Sequence, residues 1–218
     1  MTISKKWQIR IFFLIWLIFI KLFIRESLFG FLLLNTFLGY IPIELSFHIK
    51  TNSKQQSALV FWPLTIVWLL FYPNAPYILT DLLHLSWLNP NDLNGMLKLD
   101  GHIWFLYTCL LISALTCAFI GFWGLLHVAR SLDNRLHLSS ELFGFLTTCG
   151  LIFLTSIGLY IGRFLRVHTV YLIIKPKFYV DLFLNMWNRQ MIIFVIMMTI
   201  IQLVIYWIYT LITAAQQD

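Results

Sequence analysis

The chain has 218 residues, of which 60% are hydrophobic and only 11% charged, with a mean hydropathy of +0.83 and a formal net charge of +6. A soluble domain carries roughly 25% charged residues, so this composition excludes an ordinary soluble globular protein and points to an integral membrane protein. The basic residues are scattered over several loops, which leaves no nucleic-acid surface to argue for and fits loops that meet anionic headgroups.

Apolar runs of helical length predict one integral membrane domain over residues 1–218. The expected fold is all-α, a polytopic transmembrane bundle of about six spans near 7–24, 28–49, 58–72, 102–128, 142–162 and 191–214. The strands of a barrel would alternate apolar and polar instead. Lys5, Lys6 and Arg10 precede the first run as in a secretory signal. That run reaches Ile24, however, and is followed by Arg25 and Glu26 rather than by small residues, which predicts a retained first span. The second span contains Asn35, Pro42 and Glu44.

The third span is short for a crossing of roughly 20 residues, so it either continues into the broken segment after Pro73 or is tilted, and it runs into Phe71–Leu85, FYPNAPYILTDLLHL. Pro73 and Pro76 each lack an N–H and restrict the residue before them. The helix should therefore break around Tyr72–Ala75, with Asn74 hydrogen-bonding the loosened backbone, and restart over 78–88. Asp81 and His84 share one face of that second piece. Its remaining residues are mostly leucine, which predicts an amphipathic, interfacial helix.

Two loops are long, Asp81–Gly101 and Arg163–Gln190. Both follow odd-numbered spans, so they emerge on one side, and their amphipathic stretches predict a cap of interfacial segments there. The fifteen Lys and Arg residues divide seven to eight between the two faces, leaving the positive-inside bias almost balanced. The densely basic first segment tips the choice towards cytoplasmic N- and C-termini in a cell membrane, with the cap facing outward.

Three groups of residues are able to carry chemistry. In the first, Asn74, Tyr77, Asp81 and His84 are joined by Asp100 and His102 from the far end of the same loop. An Asp and a His at i, i+3 make a carboxylate–imidazole pair for acid–base work, or two ligands for a metal ion, with Asp100 as a further member. The bland reading is that Asp81 caps a helix or pairs with an arginine while His84 sits at headgroup level. In the second, Arg163 and Arg166 lie on one face at the end of the fifth span. Two guanidinium forks there suit a phosphate or carboxylate, or else snorkel to lipid phosphates. Gly158 and Gly162 add a GxxxG step that permits close helix contact. The third group is Asn35, Glu44 and Gln202, polar residues within spans, which face bundle interiors as a rule. Cys109, Cys117 and Cys149 are odd in number, lack zinc-type spacing and fall in apolar runs, so they read as small buried hydrophobes. No cofactor is expected.

With FYPNAPYILTDLLHL and LYIGRFLR both in view, the chain resembles the bacterial family catalogued as domain of unknown function 1361, which consists of multi-pass membrane proteins. The resemblance runs from about the second span to the loop after the fifth. It rests on Pro73–Tyr77 with Thr80, Asp81 and His84, on Gly162–Arg166, and on Asn35; Asp100 matches an acidic position before the fourth span. One departure stands out. Where the family continues its second signature with tryptophan, asparagine, serine, tryptophan and aspartate, this chain has Val167–Tyr171. A mechanism that needs a carboxylate there loses its support. The resemblance implies a membrane fold and the location of a site, and no reaction.

The sequence thus predicts a polar site under an interfacial cap, where Asn74, Tyr77, Arg163, Arg166 and Asn35 bind an anionic lipid headgroup or another membrane protein. The alternative is a membrane-embedded enzyme acting on a lipid-linked, phosphate-containing substrate, with Asp81, His84 and Asp100 as catalytic candidates. A small transporter is the weaker alternative, because no internal repeat is visible and few polar groups lie deep in the spans.

Overall fold

The computed structural model describes residues 3–24, 29–52, 55–138, 140–165 and 176–215. Among these the chain is helical with no strand, apart from a single antiparallel bridge between Asn91 and Leu97. It divides into two compact units. The first comprises Met1–Lys50 and Lys54–Val128, the second Thr51–Ser53 and Ala129–Asp218.

The first unit holds α1 (Lys5–Phe23), α2 (Gly30–His48), α3 (Ala58–Phe71), α4 (Asn74–Asp81), a 3-10 helix (Leu82–Leu88) and most of α5 (Gly101–Leu136). The second holds the end of α5, α6 (Glu141–Tyr160), a π-helical turn (Ile161–Leu165), α7 (Pro176–Asn185) and α8 (Arg189–Ala215). Among the described residues, five helical segments are long and apolar enough to cross a membrane: Gly30–His48, Ala58–Leu88, Gly101–Leu136, Glu141–Leu165 and Arg189–Ala215. The chain is a multi-helical membrane protein. The first of the six expected spans is α1, which is not among these five; its uncharged stretch lies between Arg10 and Lys21.

The break expected at Tyr72–Ala75 is shallow. Tyr72 (φ −57°, ψ −37°) and Pro73 (φ −53°, ψ −24°) keep helical dihedrals. Residues 58–88 therefore form one helical segment of 31 residues, not a span followed by a separate helix starting at Ile78. The reason lies in where the prolines fall. Pro73 and Pro76 occupy the cap and first turn of α4, where an N–H has no intrahelical acceptor in any case. The loosened Phe71 carbonyl accepts the Asn74 Nδ2–H at 2.8 Å, as the sequence suggests, and the Tyr72 carbonyl accepts the Ala75 N–H at 2.9 Å.

Close packing follows. Helix α2 buries Leu32, Thr36, Gly39 and Ile43, a stripe at helical spacing. An ideal Cβ on Gly39 would lie 3.0 Å from Ile78 Cδ1 and 3.2 Å from the Asn74 carbonyl oxygen. One on Gly121 of α5 would stand 2.7 Å from Ala75 Cβ. Glycines on two neighbouring helices thus admit the Pro73–Pro76 segment to the interior, where Ala75, Pro76 and Ile78 are buried. Ile78 joins Phe13, Ile43, Phe47, Ala114 and Cys117 in one apolar cluster. A second cluster gathers Ile20, Phe29, Leu32, Leu106, Cys109 and Leu110.

In the second unit, α6 and α8 are joined by a buried polar node. Ser156 Oγ accepts from Gln202 Nε2 at 2.9 Å and from Thr199 Oγ1 at 3.0 Å, and itself donates to the Ile152 carbonyl. Among the described residues, Gln202 Oε1 is buried without a hydrogen-bond partner. Gln202→Leu should therefore be close to neutral. It loses bonds worth on average about 0.6 kcal/mol between membrane helices but also removes an orphan acceptor. Thermal unfolding of the purified variant checks this, and a loss above about 2 kcal/mol would show that the node contributes more than membrane hydrogen bonds ordinarily do. Around the π-helical turn, Ile161 and Leu165 rest against a cluster formed by Ile157, Tyr160, Met186, Met191 and Val195.

Candidate functional site

The most polar interior point of the first unit is Asp81, the last residue of α4, which is fully buried. Its Oδ2 accepts the Asn35 Nδ2–H from α2 at 2.7 Å. Its Oδ1 lies 3.5 Å from His84 Nδ1, and the same nitrogen is 3.0 Å from the Asp81 carbonyl oxygen. A carboxylate taken out of water costs several kcal/mol if it is left unpaired, so the neighbours of this one matter to the fold. The structure brings Asn35, Asp81 and His84 together across more than forty residues of sequence.

The 3-10 helix explains how His84 is held. With three residues per turn, side chains at i and i+3 eclipse, so Leu82–Leu88 presents three straight rows. Leu82, Leu85 and Leu88 form one row, packed on the Ile20–Leu110 cluster. His84 and Trp87 form the next, with ring centroids 4.2 Å apart, and Phe31 of α2 closes the other side of the imidazole at 4.5 Å. Leu83 and Ser86, in the third row, are exposed. The polar face expected to lie in the interface is instead turned inward, onto α2.

Other expected site residues are placed as follows. Asn74 is committed to the Phe71 carbonyl. Tyr77 is half-buried, and its carbonyl accepts the Thr80 hydroxyl. Asp100 is exposed and caps α5, its Oδ1 accepting the His102 N–H at 2.8 Å. Among the described residues, no group of three His, Cys, Asp or Glu side chains comes together to hold a metal ion. Arg163 is half-buried on the π-helical turn. Arg166 and the divergent Val167–Tyr171 lie outside the described residues. Cys109 and Cys117 are buried thiols.

A second ionic cluster had only one member visible as a polar residue in a span. Glu44 receives Arg10 through two bonds, Nη2 to Oε1 at 2.6 Å and Nε to Oε2 at 3.0 Å. Tyr40 donates to Oε2 at 2.7 Å, and His48 Nε2 lies 3.0 Å from Oε1. Tyr40, Glu44 and His48 are spaced four apart on α2, the helical i, i+4 pattern; that spacing was the available signal. The cluster ties α1 to α2. Glu44→Ala should lower stability by about 1–2 kcal/mol, the scale of charge-assisted hydrogen bonds that remain partly exposed, as read by thermal unfolding in detergent.

Comparison with known proteins settles the kinship. The profile of the family described as "Protein of unknown function (DUF1361)" matches residues 34–205. The chain belongs to that family. No curated protein and no solved structure matches it. The DUF1361 region contains Asn35, Asp81, His84, Asp100 and Arg163, and also Glu44 with its α2 partners, whereas Arg10 and the rest of α1 precede it.

Proposed function

We propose that the protein binds an anionic lipid headgroup at the end of α6, with Arg163 and Arg166 as the guanidinium donors. The Asn35–Asp81–His84 group serves as an internal polar lock in this reading, with Asn74 and Tyr77 as its scaffold. The supporting observation is the setting of Arg163. It stands on a π-helical turn at the C-terminal end of a membrane-crossing segment, next to the exposed ring of Phe164. The turn rests on Met186, beside which α7 and its flank expose Phe178, Phe183 and Trp187. Aromatic rings of this kind sit at headgroup level, and guanidinium groups match phosphate geometry. In the proposed topology six helices cross the cell membrane, both termini are cytoplasmic, and this end faces outward. Reporter fusions at each terminus test the orientation.

The binding test uses nanodiscs of mixed phosphatidylglycerol and phosphatidylcholine, with retained lipid read by native mass spectrometry. The wild type should retain phosphatidylglycerol preferentially, and Arg163→Gln with Arg166→Gln should abolish the preference at unchanged melting temperature. Equal retention of both lipids by the wild type would overturn the reading and turn the search to a membrane protein partner.

One observation favours a second reading, an enzyme acting on a lipid-linked phosphate substrate. His84 directs Nδ1 at Asp81, so its Nε2 points away from the carboxylate, as in an oriented acid–base pair. Asp81→Asn separates the two. If Asp81 is a structural lock, accumulation in membranes should fall; if it orients a catalytic base, the variant should accumulate normally while its cellular effect disappears.

A further inference from the structure

The connection between the 3-10 helix and α5 is a built hairpin. Asn89 adopts a left-handed conformation (φ 46°, ψ 62°) and turns the chain out of the helix. The Lys98 N–H then donates to the Pro90 carbonyl at 2.9 Å, and the Asp92 N–H to the Met96 carbonyl at 2.8 Å. Inside the turn, Asp92 Oδ1 accepts the N–H groups of both Asn94 and Met96 at 2.9 Å, and Gly95 takes the positive φ of 78°. Lys98 Nζ folds back to the Asn89 carbonyl at 2.9 Å.

Residues 91–100 are all exposed, and four of them are large and apolar: Leu93 is 106% exposed, Leu99 98%, Met96 69% and Leu97 67%. We infer that residues 89–100 form a membrane-dipping hairpin, whose leucines and methionine enter the acyl boundary of the leaflet beside the spans. The occupant is the bilayer itself. Both ends of the hairpin join membrane-crossing segments, Ala58–Leu88 and Gly101–Leu136. The exposed tryptophans Trp87 and Trp104 bracket it, and tryptophan marks the level of the membrane interface.

The test places an environment-sensitive fluorophore at Leu93→Cys, Leu99→Cys and, as an internal reference, Asn94→Cys. Cys149, the native cysteine that is not fully buried, is replaced by alanine. All three labelled positions are exposed, so the substitutions leave the packing intact. In liposomes, labels at 93 and 99 should emit to the blue of the label at 94. They should also be quenched several-fold more strongly by nitroxide-bearing lipids than by aqueous iodide. Strong iodide quenching at 93 and 99 without nitroxide quenching would overturn the proposal. Protection from both quenchers would overturn it as well, because the patch would then be covered by a second copy of the chain.

Discussion

Asn35→Leu should destabilise the folded protein by about 2–3 kcal/mol, the cost of removing a hydrogen bond to a charged, desolvated group. The carboxylate of Asp81 is fully buried and accepts the Asn35 amide at 2.7 Å, and leucine has no donor to replace it. The double variant Asn35→Leu with Asp81→Leu should not add the two single losses, since removing both partners leaves neither amide nor carboxylate to satisfy. The measurement is a double-mutant cycle on unfolding free energy in mixed micelles. A coupling below about 0.5 kcal/mol would be simple additivity and would remove the lock from this account of α2 and α4.

Gly121→Val should be at least as severe, because the clash is with backbone-fixed atoms and not with the end of a flexible side chain. The Cβ would stand 2.7 Å from Ala75 Cβ, where ordinary carbon contacts lie at about 3.5–4.0 Å. Overpacking of this kind costs about 1–3 kcal/mol, and more when helices must separate. Gly150 supplies the contrast. Among the described residues, nothing lies within 4 Å of the Cβ it would carry, and it sits inside α6, so Gly150→Ala should be neutral or stabilising by up to about 1 kcal/mol. Melting temperatures of the three proteins side by side decide the matter. Equal behaviour of the Gly121 and Gly150 variants would mean that Pro73–Pro76 does not need the close approach of α5.

Much of the architecture could be read from composition and run length, because a helix that crosses hydrocarbon must be apolar along about 20 residues whatever its neighbours are. The polar residues of Phe71–Leu85 marked that stretch as one in need of partners, because such groups beside a span are costly to leave unsatisfied. Four things were less legible. Proline rules forecast a full break at Tyr72–Ala75, but they do not include the tertiary context that keeps Tyr72 and Pro73 helical with Gly39 and Gly121 alongside. The facing of Asp81 was also hidden, since a polar stripe on a short helix reads alike whether it meets water or an asparagine on another helix. Arg10 with Glu44 was obscured by distance, being a pair across 34 positions, although Tyr40, Glu44 and His48 already stood in register. The hairpin at 89–100 escaped notice because its composition, Asn, Asp, Gly and Pro among leucines, is that of any loop; only the exposure of the leucines distinguishes it.

The 3-10 geometry of Leu82–Leu88 has a consequence for how this segment can change. An α-helix spreads its faces gradually, so a lost or gained residue shifts them by 100° and long side chains often adjust. Three straight rows have no such slack. Inserting one residue before His84 would carry each row a third of a turn onward, taking His84 and Trp87 away from Phe31 and the leucine row off its apolar bed. Substitution within a row is a local matter of size and polarity, whereas a change in length alters the phase of the whole segment at once. What this stretch must transmit from one generation to the next is a count.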